Sequence, residues 1–588
     1  MNNKYAHRFW DSKKIYNKLF LFAKRSNRAI NICKNSLPIL YLLLLGLFTH
    51  GILLINDGIY WESWTYESNH VTPGGNPNLF QTLLIESRIW SHVIYVKIIP
   101  YIFVNINFGF KLIGFVNIVL SAIFVYMLTG YFIGMDKPLR LWLSSFLITV
   151  PTQVLAVDYV FVQYLTDLTI FYFATLCAIH ANKKNYSPII NLFIRLSAFG
   201  SYWLSFSTGS LLVFYLIAFC YIIFIQAQSL ASIALLQSFQ SVKHIAKIII
   251  RNLDFLLLPI LFWFANRWVY PITAQWVYDM SYNQINLSGL LRPNVWLDYF
   301  YTGTIALIKN GLQLSLDPPF FLLLIIIYGF RQAQNKSFIS SLKWATKILL
   351  FGFITLILAT LPYIAVGRVL IPNNIFSYFM RYFLLYPLPI AIGCIAFSRL
   401  LSKYTLSIVL LAFIYTNIDF YFAYQARFVK DLSVKQNILE ENKLNRFSII
   451  RVIDQYPIDN RFPAYFGQDA LFEKTAYFRW LLNGDKFPIA LSFVDGQILD
   501  PENIIVLWVK SSPIMKEYFN YHQLNTLGCY GQLVISKTDY AQTLTTAGTS
   551  LRYWYYRFLR PDQLNTWVST LSFIQLKKIE MPEATACL

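Results

Sequence analysis

Residues 53–62 read LLINDGIYWE. An apolar run, 37–55, stops here, and Asp57 and Glu62 follow at once with Tyr60 and Trp61 between them. The run is close to the ~20 residues that cross a hydrocarbon core. It therefore reads as a retained signal anchor, and Asp57 falls where lipid gives way to water. An acid at that boundary needs a reason on a chain with formal net charge +20.

Composition points the same way. The 588 residues are 56% apolar and only 13% charged, against about 25% charged in a soluble domain. Aromatics reach 18%, with 50 Phe and 40 Tyr, as membrane-boundary belts require. The basic excess sits in the N-tail 1–36, with nine Lys/Arg against Asp11 alone, whereas 425–588 holds 18 Lys/Arg against 16 Asp/Glu. That distribution follows the positive-inside rule and argues against nucleic acid as a partner. The six cysteines form no C-x-x-C pair and read as small core residues.

By length and apolarity the fold class is a polytopic α-helical membrane protein of about eleven transmembrane helices. The spans are 37–55, 111–134, 139–158, 161–181, 188–206, 207–226, 250–269, 316–330, 345–366, 382–398 and 405–424. With 1–36 as a cytoplasmic basic N-tail, the loops carrying Lys137/Arg140, Lys183/Lys184, Lys243/Lys247, Arg331/Lys336/Lys343 and Arg399/Lys403 all fall inside. The transmembrane domain 37–424 then sends loops 56–110 and 270–315 outward, and 425–588 forms an extracytoplasmic C-terminal domain. This order needs a hairpin at 207–209, since one long helix over 188–226 reverses everything after it. Arg195 in the fifth span marks either an interfacial start or a polar partner inside the bundle.

Residues 79–99 and 295–313 carry amphipathic patterns expected to lie in the interface. In the C-terminal segment 448–454, 502–509 and 531–537 look like strands and 469–482 like a helix, an α/β-type domain. It contains no dinucleotide, P-loop, zincin or nucleophile-elbow motif.

Asp57 and Asp158, in LAVDYVF, are the leading outer-face acids. Two carboxylates at one interface can deprotonate a hydroxyl or bind a divalent cation such as Mg or Mn. Asp167, Glu62, Glu67, His70 and His92 are further candidates. Outer-face arginines oppose the usual charge bias, so Arg267, Arg368 and Arg381 are expected to bind phosphate, and Trp61 to pack on a sugar ring. Each has a plainer alternative: a helix end or turn for Asp57, a corner residue for Asp158, snorkelling for the arginines.

At this point the chain resembles the GT-C superfamily of polytopic glycosyltransferases. The resemblance rests on INDGIYWESW (55–64), the amphipathic stretch 79–99, VDY (157–159), and LPYIAVGRVL (361–370) followed by FMRYFLLYPLPIAI (379–392). It implies an acid after the first helix as catalytic base, here Asp57, and a second-corner acid that assists or binds metal, here Asp158. Many members show paired acids in the first loop; this chain has Asn56-Asp57, which implies a single base. The expected donor is a polyprenyl-phosphate-linked sugar and the acceptor a glycan, lipid or protein of the cell envelope, in the lipid bilayer of a bacterial inner membrane. A polysaccharide polymerase or ligase, a transporter, and a non-enzymatic assembly protein are the competing readings.

Overall fold

The computed structural model describes residues 36–60, 63–70, 90–132, 135–181, 186–230, 246–269, 287–306, 338–366, 378–397, 403–441, 447–456, 489–492 and 529–578. These residues are mostly helical. Six helices are long and apolar enough to cross a membrane, and a bent pair makes up to seven. The chain is a helical membrane protein.

In chain order the bundle helices are α1 (Ser36–Ile55), α2 (Ser63–His70), α3 (Trp90–Ile102), α4 (Ile106–Leu128), α5 (Lys137–Thr149), α6 (Tyr159–His180), α7 (Pro188–Ser205), α8 (Ser210–Leu230), α9 (Leu253–Phe264), α10 (Leu287–Leu290), α11 (Pro293–Phe300), α12 (Phe338–Ala365), α13 (Pro387–Ala396) and α14 (Lys403–Glu441). Short polar residues start several of them. Asn105, Asp136 and Asp158 each accept a backbone N–H three residues on, at 3.0 Å, filling the donors that a helix start leaves open. The expected span 139–158 is α5 continued by a 3-10 stretch, Pro151–Val157, bent by 48°. Val150 precedes Pro151 and adopts ψ 127°, because a following proline ring disfavours helical backbone.

Neighbouring helices are held by hydroxyls and small residues. Asn117 donates to Thr166 (2.7 Å), Ser121 meets Thr169 (2.8 Å) and Tyr131 meets His180 (2.9 Å). These rungs advance together, so α4 and α6 run parallel, with α5 returning between them. A Cβ on Gly114 would come within 2.9 Å of Val162 and 3.2 Å of Ala156; glycine is what lets the two backbones approach. Between α7 and α8 the chain turns at 206–209, and the rings of Tyr202 and Tyr215 lie 4.8 Å apart. α7 runs against α6, with Tyr202 on Thr175 and Thr208 on Asp167, and α8 runs back along it, with Tyr215 by Phe171 and Tyr221 on the Leu128 carbonyl, so the pair is an antiparallel hairpin and not one long helix. Arg195 has its partner within the bundle: it donates to Asp254 at 2.6 and 2.5 Å and to the Arg251 carbonyl at 2.9 Å.

The expected span 316–330, the helix 469–482 and the strand 502–509 lie outside the described residues. Of the amphipathic patterns, 90–102 is α3, and 295–306 falls on α11 and a π-helical turn, Tyr301–Ala306.

The last bundle helix does not stop at 424. α14 has 39 residues, about 58 Å at 1.5 Å each, roughly twice the hydrocarbon thickness. Its second half continues into a C-terminal unit. There β1 (Phe447–Gln455), β2 (Ile489–Ser492) and β3 (Cys529–Lys537) pair in parallel and β4 (Ser572–Lys578) closes the edge antiparallel, in the order β2-β1-β3-β4. Helices α15 (Asp539–Gln542), α16 (Thr546–Leu559) and α17 (Pro561–Ser569) lie between β3 and β4 in sequence. Leu533, Ile535 and Ile574 are buried with Val434 and Ile438 of α14 and with Trp567 and Val568 of α17. Ile59, from the loop after α1, and Trp64, on α2, are buried in the same cluster. The end of α1, α2 and the C-terminal unit therefore meet at one end of the bundle.

Candidate functional site

The site begins with the turn after α1. Asn56 Oδ1 accepts the Gly58 N–H at 2.8 Å, an Asx turn. The turn wraps Lys111, which is fully buried near the start of α4 and donates to the Asn56 carbonyl (2.5 Å), the Gly58 carbonyl (2.6 Å) and Asn56 Oδ1 (3.2 Å). A buried ammonium is tolerated only when its donors are satisfied, so this lysine fixes the shape of the loop. Tyr60 closes the turn: its hydroxyl donates to the Tyr424 carbonyl at 2.6 Å, and the Arg427 guanidinium stands 5.6 Å from its ring centre.

Asp57 projects from this turn toward α16. Its backbone N–H donates to Gln425 Oε1 (3.2 Å) and its carbonyl accepts from Asn107 (2.8 Å). Tyr553 donates its hydroxyl to Asp57 Oδ2 at 2.8 Å, and Arg557 forms an ion pair with the same oxygen. Burial pushes the carboxyl above the usual carboxylate range, while Arg557, Tyr553 and Lys111 pull it part of the way back.

Two further acids lie beneath. Asp158, nearly fully buried at the start of α6, accepts from Ser63 Oγ at 2.5 Å and from its own helix at Phe161. Glu67 on α2 is buried and accepts from Tyr159 at 3.5 Å. Desolvation pushes its carboxyl up to about 7, against the opposing pull of Tyr159, Lys111 and Lys435. Asp57 and Glu67 thus both act on Lys111, and Glu67 and Asp158 both act on Tyr159.

His92 belongs elsewhere. It is buried on α3 with Nε2 3.6 Å from Asp167 Oδ2. Asp167 also accepts from Ser91 (3.0 Å), Tyr95 (2.9 Å) and Thr208 (2.7 Å). This second cluster is nine residues along α6 from Asp158, about 14 Å by helical rise.

Arg381 lies in a 3-10 stretch, Tyr378–Phe383, with its guanidinium 5.4 Å from the Tyr382 ring. That stretch packs on Pro151–Val157, which leads directly into Asp158. Arg267 lies in a π-helical turn, Ala265–Val269; its side chain, and the whole of Trp61, Glu62 and Arg368, lie outside the described residues. Among the described residues, no three His, Cys, Asp or Glu side chains converge to hold a metal ion.

Sequence reasoning did not single out Lys111, Ser63, Tyr553 or Arg557. Lys111 carries a readable signal, a lysine inside the apolar run FGFKLIGF (108–115). Arg557 carries none, because its partner is 500 positions away. Neither protein-family models, curated proteins nor solved structures match this chain.

Proposed function

We propose that the chain is an eleven-span membrane glycosyltransferase that moves a sugar from a polyprenyl-phosphate donor to an envelope acceptor on the extracytoplasmic face. The observation that carries this reading is that Asp57 and Glu67 both act on buried Lys111 while Glu67 and Asp158 both act on Tyr159, where the loop after α1 meets the C-terminal unit. An acceptor hydroxyl would attack the anomeric carbon while Asp57 takes its proton, and the sugar–phosphate bond would break with the electron pair leaving on the phosphate. Tyr553 supports the geometry: a hydroxyl already stands 2.8 Å from the proposed basic oxygen, within proton-transfer reach. Arg381, whose 3-10 stretch packs on Pro151–Val157 and whose guanidinium acts on Tyr363 and Tyr382, is the cation this reading assigns to the phosphate.

The span count follows from direction. Helices α1, α5, α7, α12 and α14 run toward the C-terminal unit and α4, α6, α8 and α13 away from it. α9 runs toward it and α12 begins at the far end, so one more crossing in 270–337 restores the order, and 316–330 is the apolar run available. An N-terminus inside a bacterial plasma membrane and an outer C-terminal unit are the orientation that the Lys/Arg distribution supports.

The ion pair with Arg557 favours a second reading, in which Asp57 is a docking residue of a non-enzymatic assembly protein. Reconstituted protein incubated with labelled polyprenyl-phosphate sugars separates the two. The transferase reading expects donor consumption that falls by about 10²–10⁴ in Asp57→Asn, and far less in Arg557→Gln, which breaks the same pair but keeps the carboxylate. Equal consumption by wild type, Asp57→Asn and Asp158→Asn supports the docking reading.

A further inference from the structure

α16 carries a face that its neighbours leave uncovered. Leu551, Tyr555 and Leu559, four residues apart, form a row with Phe558 beside it, and they are 56%, 48%, 67% and 56% exposed. Such a row on a helix of a water-facing unit is costly unless something apolar meets it.

The contacts around the helix show which way the row faces. One flank, Arg552 and Tyr556, belongs to the C-terminal unit: Arg552 meets Tyr540, and Tyr556 stacks on Trp567 at 5.1 Å. The opposite flank belongs to the bundle. Ser550 donates to the Phe422 carbonyl at 2.7 Å, and Trp554 donates to the Ile55 carbonyl at 3.1 Å. Phe558 continues the Ser550–Trp554 ridge by one turn, and the Leu551–Tyr555–Leu559 row is the next ridge beyond it. Tyr553 and Arg557, which meet Asp57, share the bundle flank with Ser550 and Trp554, so the uncovered row lies on the third side of α16, between the two flanks and turned away from the bundle.

Depth is fixed by the same contacts. Ile55 is the last residue of α1, whose row Leu37, Leu40, Leu44, Phe48 and Ile55 is exposed along the span. Trp554 and Arg557 both bond to the Ile55 carbonyl. α16 is thus held at the level where the lipid-facing row of α1 ends.

We propose that α16 is an interfacial helix, with Leu551, Tyr555, Phe558 and Leu559 inserted at the headgroup–acyl boundary of the bilayer. An apolar ridge with a tyrosine hydroxyl and flanking arginines is the composition that holds a helix in this plane. The occupant of the face is lipid, and the C-terminal unit is anchored three ways: by α14, by the Asp57 loop, and by the membrane itself. This holds whether or not the chain transfers sugars.

The test uses the full chain in vesicles, its six cysteines replaced, with one nitroxide label at 551, 555, 558 or 563. Relaxation is read with oxygen, which concentrates in lipid, and with a water-soluble nickel chelate. The proposal expects oxygen to dominate at 551, 555 and 558, and the order to reverse at Gln563, which is exposed at the start of α17. Chelate dominating at all four positions overturns it. Exclusion of both agents at 551, 555 and 558 also overturns it, since that is the signature of a protein partner. A photo-crosslinking residue at Tyr555, with the native cysteines kept, provides a second readout. Lipid adducts support the proposal; adducts to another chain, or none, contradict it.

Discussion

At the scale of single residues, the site is a contest between burial and pairing. Glu67 shows it most sharply. Its carboxyl is moved from 4.5 to about 7 mainly because α2 takes it out of water. Between those two values the folded chain keeps a proton that the unfolded chain has released. Stability therefore falls as pH rises through this window and levels off above it, by roughly 3 kcal/mol in total for a shift of that size. Glu67→Gln keeps the acceptor for Tyr159 and removes the titration. Its melting temperature should change less between pH 4.5 and 7 than the wild type's and exceed it above 7. Parallel melting curves for the two proteins would mean that Glu67 is already ionised in the fold. Asp57 and Asp158 could be read in advance because an acid next to an apolar run is conspicuous. What each carboxylate touches could not, since Ser63, Tyr553 and Arg557 are ordinary residues until the chain folds.

At the scale of elements, the apolar runs were legible and their ends less so. Loop charge argues for a hairpin at 207–209, and the structure turns at 206–209 because Ser207, Thr208 and Gly209 bond locally between two apolar helices. Arg195 was ambiguous in the sequence because its partner Asp254 is on another helix. The end of α14 was placed at 424, where apolarity fades. The helix runs on to Glu441 because its polar second half is buried too: Lys430 donates to the Tyr456 carbonyl (2.8 Å) and Asn437 to the Ser572 carbonyl (2.7 Å). Hydropathy marks where lipid ends, not where a helix ends. This continuous helix is a rigid link between bundle and C-terminal unit. Ala423→Pro, at a fully buried position in mid-helix, should cost about 3 kcal/mol and loosen that link. Limited proteolysis should then separate the two parts while the bundle stays intact. A digestion pattern identical to wild type would show that the Asp57 loop and α16 hold the C-terminal unit without α14.

At the scale of the whole molecule, composition and charge placement were enough to read a membrane protein with a nearly neutral C-terminal segment. The meeting of that segment with the first loop was not readable, because it joins residues at opposite ends of the chain. It is also what covers Asp57: Ile59 and Trp64 are buried in the core of the C-terminal unit, and α16 caps Asp57. The transferase proposal requires this junction to receive a substrate with an apolar tail, a phosphate and a sugar. The central claim is that this molecule holds such a lipid, and mass spectrometry of lipid released from the detergent-purified chain tests it most directly. The account predicts a polyprenyl phosphate or its glycosylated form at near-stoichiometric amount. Release of bulk phospholipid alone, from protein that also takes up no added polyprenyl-phosphate sugar, would contradict it.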